Sequence, residues 1–176
     1  MSLERFNVKI RKARRAEAEI CYSFINDARE YHAQLGFVQW HEGYPVLQTI
    51  IDDINAGIGY AFVDDNDYTI GYFCFNVGDE PAYKVIDGAW LNDNPYAVVH
   101  RMAFSKSVRG RGLSSKAINL IKELAVYLGI KTIRVDTQEE NKVMQHILDK
   151  EGFIRCGYVH FDGGPKLAYQ WDASIQ

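Results

Sequence analysis

The chain has 176 residues, room for one sizeable core and too little for two, so a single domain over 1–176 is expected. With 20 Lys and Arg against 23 Asp and Glu, its net charge of -3 leaves no broad basic surface to neutralise a nucleic-acid backbone. Cys21, Cys74 and Cys156 are odd in number, widely spaced and set in apolar sequence, which suits reduced core thiols better than disulfides or a zinc site.

The N-terminus lacks an apolar signal region, and no segment reaches the roughly 18 uninterrupted apolar residues of a membrane span. A soluble, cytoplasmic protein is therefore expected, with no metal, nucleic acid or membrane among its partners.

Phe6 to Ile10 alternates as a first strand. The basic run Lys9, Arg11, Lys12, Arg14 and Arg15 opens a helical pattern and reads as a solvated face. Ala16, Ile20, Phe24, Ala28, Tyr31 and Leu35 mark the apolar stripe of a long helix ending at Gly36. Phe37 to Tyr44 is aromatic and irregular; Pro45 then opens a second helix with Leu47, Ile50, Ile51 and Ile54 on one side. Tyr60 to Val63 and Tyr68 to Phe75 form an antiparallel hairpin across Asp64 to Asp67. Gly78 to Pro95 reads as a long surface loop with a short extended piece around Tyr83 to Ile86.

Ala97 to Phe104 is a strand covered on both faces, with Val99 and Ala103 on one side and Val98, His100, Met102 and Phe104 on the other. Leu113, Ala117, Leu120, Ile121, Leu124, Ala125 and Leu128 then recur at helical spacing before Gly129. Lys131 to Asp136 is a further strand, Asn141 to Lys150 a short helix stopped by Gly152, and Phe153 to Phe161 with Lys166 to Trp171 a closing hairpin. This order predicts an α/β (mixed α+β) architecture, a mixed sheet with helices on both faces.

The most informative stretch joins the central strand to the helix after it. Arg109, Gly110, Arg111, Gly112, Leu113 and Ser114 form a glycine loop at a helix N-terminus, where successive N–H groups converge on one point, as a phosphorylated ligand requires. A dinucleotide fingerprint fits poorly: its third glycine would fall on Ser115, Phe104 ends the strand several residues early, and only 40 residues follow Asp136. The P-loop string is absent.

The run from His100 to Ser114 resembles the central motif of the GNAT superfamily of N-acetyltransferases, Arg/Gln-x-x-Gly-x-Gly/Ala, carried by Arg109, Gly112 and Ser114 with serine in place of the last small residue. Asn141, Lys150, Gly152 and Phe153 fit the family's downstream pattern. The resemblance implies a GNAT-like, mostly antiparallel sheet whose central strands splay, with acetyl-coenzyme A in the V between them. Pyrophosphate would lie on the N–H groups of Arg109 to Ser114, and the pantetheine arm along the backbone of Met102, Ala103 and Phe104. Asn141 would bond the same arm; as a helix N-cap it has a second role compatible with the first.

The implied reaction is direct acetyl transfer to a primary amine of a small molecule or peptide, with an oxyanion stabilised by backbone N–H groups. A lysine-like amine of pKa about 10.4 is neutral in only about one molecule in 2,500 at pH 7, so a base is useful. His100, on the central strand, is the preferred candidate, against a reading as a bonded core histidine. The family's usual tyrosine acid falls on Leu148, leaving water, an unaided thiolate or Tyr158 in its place; Tyr158 also reads as a packing aromatic, and Cys156 as a structural thiol. Trp40, His41, Glu42 and Tyr44 are candidates for the acceptor wall, and Trp90 for a contribution from the long loop, unless each is a loop anchor. A non-catalytic acyl-coenzyme A sensor is the alternative reading, and a homodimer is a further expectation, since small domains with aromatic hairpins often pair.

Overall fold

A computed structural model describes residues 7–41 and 43–175. Eight strands form one sheet: β1 (Lys9–Lys12), β2 (Gly59–Val63), β3 (Thr69–Val77), β4 (Ile86–Gly88), β5 (Tyr96–Phe104), β6 (Thr132–Thr137), β7 (Ile154–Phe161) and β8 (Gly164–Asp172). Their spatial order is β1-β2-β3-β5-β6-β8-β7-β4. Every neighbouring pair is antiparallel except β5 and β6, which run parallel. The first strand is displaced from its expected position, and Phe6 lies outside the described residues.

Helices α1 (Ala18–Gln34) and α2 (Leu47–Asn55) cover one face; α3 (Leu113–Tyr127) and α4 (Lys142–Lys150) cover the other. The α3 stripe Leu113, Ala117, Ile121 and Ala125 packs as its spacing predicts, against Phe62, Phe73, Phe75 and Val99. The α1 stripe is rotated from the expected one. Ala18, Cys21, Phe24, Ile25 and Ala28 are buried, whereas Ile20 and Leu35 are about half exposed, at 46% and 50%. Position 21 carries a cysteine, a small apolar residue that meets the sheet as well as a hydrocarbon would. All three cysteines are buried and unpaired.

Arg11 departs from the solvated-face reading. Its guanidinium donates two bonds to Glu17, at 2.9 and 2.8 Å, and one to Asp67 at 2.7 Å, tying β1 to the β2–β3 turn.

The segment 78–95 is not a loop lying over the surface. It forms a short 3-10 helix at Pro81–Lys84, and β4 then pairs with β7. Tyr83 is buried at 2% exposure among Val98, Val159 and Ala168, because its ring fills the sheet face left uncovered by α1 and α2. Trp90 and Tyr96 sandwich the Arg134 guanidinium, which donates to the Asn92 carbonyl at 2.7 Å and pins the rest of the segment.

Two irregularities in β5 shape the centre of the molecule. Strand β5 pairs with β6 only through Tyr96, Ala97 and Val98, opposite Thr132, Ile133 and Arg134; beyond that the strands part, each still held by its other neighbour. Between the pairs Tyr72↔Ala103 and Cys74↔His100, β5 carries two residues where β3 carries one, a β-bulge with Arg101 at φ 56°. The extra residue reverses the alternation. Val98 and His100 face the Tyr83 side and Ala103 the α1–α2 side, while Met102 and Phe104 join Val99 against α3. The expected grouping of Met102 and Phe104 with His100 is thereby corrected.

Candidate active site

The parting of β5 and β6 opens a cleft of about 570 Å³. Val99, Met102, Ile118, Val135, Met144 and Leu148 make its apolar wall; Glu80, His100, Arg101, Asp136 and Lys166 make its polar wall. Trp40, His41 and Tyr44, from the segment between α1 and α2, also line it. Glu42 lies outside the described residues.

The glycine loop joins β5 to α3, and α3 reaches the cleft through Ile118; no residue of the loop itself lines it. Gly110 and Gly112 have φ of 78° and 69°, and a Cβ built on either would meet no atom within 4 Å, so a ligand has room to approach the backbone. Gly112 is the N-cap of α3, with no side-chain cap and no acidic residue in the first turn. The first N–H groups of a 15-residue helix thus point outward without a capping side chain, which suits a pyrophosphate. The Arg109 guanidinium lies 4.4 Å from the Tyr31 ring centre and donates to the Asp27 carbonyl at 3.3 Å, so it braces the loop against α1.

Along the gap, Ser105 N–H bonds to the Ile70 carbonyl of β3 at 2.8 Å. Alternation then turns the N–H group of Phe104 the other way, toward the opening, while Ala103 stays with β3. Asn141 is a helix N-cap: its Oδ1 accepts from Met144 N–H at 3.2 Å, and its Nδ2 donates to Gln39 Oε1 at 3.4 Å. It also lines the cleft, so capping and ligand contact are compatible. A phosphorylated head on the loop and an extended arm along β5 fit the residues present.

His100 sits where the strands begin to part. Its Nε2 lies 3.0 Å from Glu80 Oε2 and its Nδ1 lies 3.9 Å from Asp136 Oδ2. The hydrogen bond from His100 holds the Glu80 carboxyl below the usual carboxylate range, against the opposing effect of burial. An ionised carboxylate only accepts, so Nε2 donates to Glu80, and Nδ1 faces Asp136. Asp136 accepts from Tyr83 OH at 2.7 Å and pairs with Lys166 at 3.4 Å. Glu80 and Lys166 are site residues that local pattern reasoning misses; Asp136 was visible only as the end of a strand. The Glu-Pro pair at the start of a short helix is the one local signal for Glu80.

Other candidates fall elsewhere. The Tyr158 hydroxyl accepts from Arg155 at 2.8 Å and donates to Glu139 at 3.1 Å, and the residue does not line the cleft. Trp90 is a loop anchor, its Nε1 donating to the Tyr83 carbonyl at 3.0 Å. The Cys156 thiol is pushed up by burial and has no place in the cleft. Leu148, 1% exposed, is part of the apolar wall.

Among the described residues no helix is long and apolar enough to cross a membrane. None of the curated proteins matches the chain. Among solved structures, a GNAT family acetyltransferase from Streptococcus agalactiae 2603 is similar over 95% of this chain and 96% of that one, at 37% identity and a TM-score of 0.85. A GNAT family acetyltransferase from Listeria monocytogenes 4b F2365 shares 19% identity over 98% of each chain, with a TM-score of 0.76. The aminoglycoside acetyltransferase AAC(6')-Ib, solved in complex with coenzyme A, shares 21% over 96% of each chain, with a TM-score of 0.69; at such identities the likeness is one of fold. The model of the acetyltransferase (GNAT) family matches residues 19–153, a span that takes in the glycine loop, both cleft strands and Asn141, and the chain belongs to that family, whose acetyl donor is acetyl-coenzyme A.

Proposed function

We propose that the acetyl group goes to a primary amine of a small molecule or peptide, and that His100 takes the proton the amine must lose. The carrying observation is the orientation of His100: Nε2 is engaged by Glu80, while Nδ1 looks across 3.9 Å toward Asp136. That separation is too long for a direct hydrogen bond, so the lone pair is kept for another donor. An ammonium group entering there meets the Asp136 carboxylate, which attracts it, and the Nδ1 lone pair, which deprotonates it. Glu80 then stabilises the imidazolium that results.

Bound acetyl-coenzyme A supplies the acetyl group as a thioester. In this reading the N–H groups of Arg109 to Ser114 hold its pyrophosphate, the Met102 and Phe104 N–H groups orient its arm, and the Met102 N–H stabilises developing negative charge. Leu148 offers no proton to the departing sulfur, which leaves as a thiolate or takes its proton from water. Trp40, His41 and Tyr44 wall the acceptor end. The buried Leu148 also favours a second reading, a sensor that binds acyl-coenzyme A without turnover. Thiol release from acetyl-coenzyme A is measured with linear diamines, amino sugars and lysine-containing peptides. Acceptor-dependent release supports the enzyme; tight binding with no such release supports the sensor.

A further inference from the structure

Arg101 holds a backbone conformation that its side chain does not favour. Among the described residues only Asp67 and Arg101 have positive φ without being glycine, and Asp67 lies in a turn, where Asp is tolerated. Arg101 is in the middle of β5, at the extra position of the bulge. A residue with a Cβ stays in this region only when its surroundings hold it there.

The hold comes from the guanidinium. Its Nε donates to Asp53 Oδ2 at 2.9 Å and its Nη2 to Asp53 Oδ1 at 2.8 Å, a two-pronged pair with side chains 10% and 8% exposed. Tyr72 OH donates to the same Asp53 at 2.7 Å, fixing the carboxylate against β3. The remaining Nη1 donates to Tyr44 Oη at 2.7 Å, at the end of the segment that carries Trp40 and His41. The other end of that segment is fastened across the gap: Gln39 Oε1 accepts from Asn141 Nδ2 and Gln138 N–H at 3.4 Å each. Midway, His41 lies against Gly163, leaving no space there for a side chain. The segment therefore spans the parted strands, and Arg101 is its anchor on the β5 side.

We propose that Arg101 is a positioning residue that holds the acceptor wall in register with the point of acetyl transfer. One guanidinium sets the bulge that directs His100 and the Met102 N–H, and the same guanidinium holds Tyr44. This rests on the transfer reading of the cleft.

Three variants test it. Arg101→Gly removes the clamp while glycine still accepts the bulge's φ; Arg101→Lys keeps a charge beside Asp53 but loses the fork; Tyr44→Phe removes one half-exposed hydroxyl. Amide hydrogen exchange is followed in each with coenzyme A bound, so that no acceptor need be known. Arg101→Gly is expected to exchange at least about tenfold faster over 37–46 and 99–104, and Tyr44→Phe over 37–46 alone. Arg101→Lys should recover part of the protection.

With the best amine of a panel holding a linear diamine, an aminoglycoside and a lysine-containing peptide, Arg101→Gly should lower kcat at least about tenfold, and Tyr44→Phe should raise the acceptor KM about threefold at unchanged kcat. Wild-type exchange in both segments of Arg101→Gly, or over 37–46 together with an unaltered acceptor KM in Tyr44→Phe, overturns the proposal. Exchange that follows the expected pattern in a protein that turns over none of the amines upholds the clamp and removes the transfer reading instead.

Discussion

Replacing His100 by glutamine separates chemistry from packing at the centre of the cleft. Glutamine keeps an N–H able to reach Glu80, 3.0 Å from the present Nε2, but has no basic ring nitrogen to take a proton from an amine. Since that bond survives, stability should change by no more than about 1 kcal/mol, about 2–4 °C in melting temperature for a chain of this size. Loss of a general base lowers turnover by about 10²- to 10⁴-fold, about 2.7–5.4 kcal/mol in the barrier. Alanine gives a useful contrast: it leaves the Glu80 carboxylate in a half-buried site with only the Ala82 N–H at 3.3 Å. That variant should lose about 1–3 kcal/mol of stability besides its activity. Thiol release from acetyl-coenzyme A, followed from pH 5.5 to 9 with a saturable amine, reads the effect. The acid limb of kcat/KM, which a base that must be neutral imposes, should disappear in His100→Gln while coenzyme A affinity holds. A variant within about tenfold of wild type that keeps its acid limb would refute the assignment.

Three further outcomes are expected. Gly112→Glu brings bulk and like charge to the loop where a Cβ meets open space; calorimetry should show coenzyme A affinity reduced at least about 100-fold, with a stability loss of only about 1–2 kcal/mol from the left-handed backbone. The Arg11 fork, helped by the Arg14 N–H and the Thr69 hydroxyl and opposed by burial, holds the Glu17 carboxyl at about 2. A depressed carboxylate contributes its full stability above the ordinary value near 4.5 and loses it as pH falls toward 2, so Glu17→Gln should cost about 2–3 kcal/mol at pH 7 and flatten the acid side of the melting profile. Burial, and then the Arg109 charge, push His32 down to about 4, so between 6.5 and 4 the unfolded chain binds a proton that the folded chain does not. Stability therefore falls as pH drops through that window. His32→Phe, which keeps the 4.7 Å stack on Phe37, should gain about 2 kcal/mol over wild type at pH 4.5 in urea unfolding; equal pH dependence in the two proteins would contradict this.

Local pattern alone determined most of the elements and points to the proposed donor site. Periods of two and of three to four, with glycine and proline punctuation, place all four α-helices and seven of the eight strands to within a few residues; the short 3-10 helix at Pro81–Lys84 is missed, and the expected extended piece around Tyr83 to Ile86 meets β4 only at Ile86. The glycine loop is contiguous, so the proposal of an anion site at Gly110 and Gly112, on a strand-to-helix junction, needs no knowledge of packing. Side-chain direction and the proposed catalytic grouping had to wait for the tertiary structure. Alternation along β5 predicts one set of faces, and the bulge at Arg101 reverses it, because the extra residue exists only in register with β3. The stripe of α1 is shifted because the sheet, rather than the count of large apolar residues, selects the side that is buried. His100, Glu80 and Asp136 lie on separate elements, as do Arg101, Asp53 and Tyr44. Their meeting follows from the strand order that sets β5 between β3 and β6, and from the uncovered sheet face that draws Tyr83, and Glu80 with it, over the cleft. Strand order is decided by which long-range pairings bury the most apolar surface and satisfy the most backbone bonds, and no local spacing in the chain carries that information.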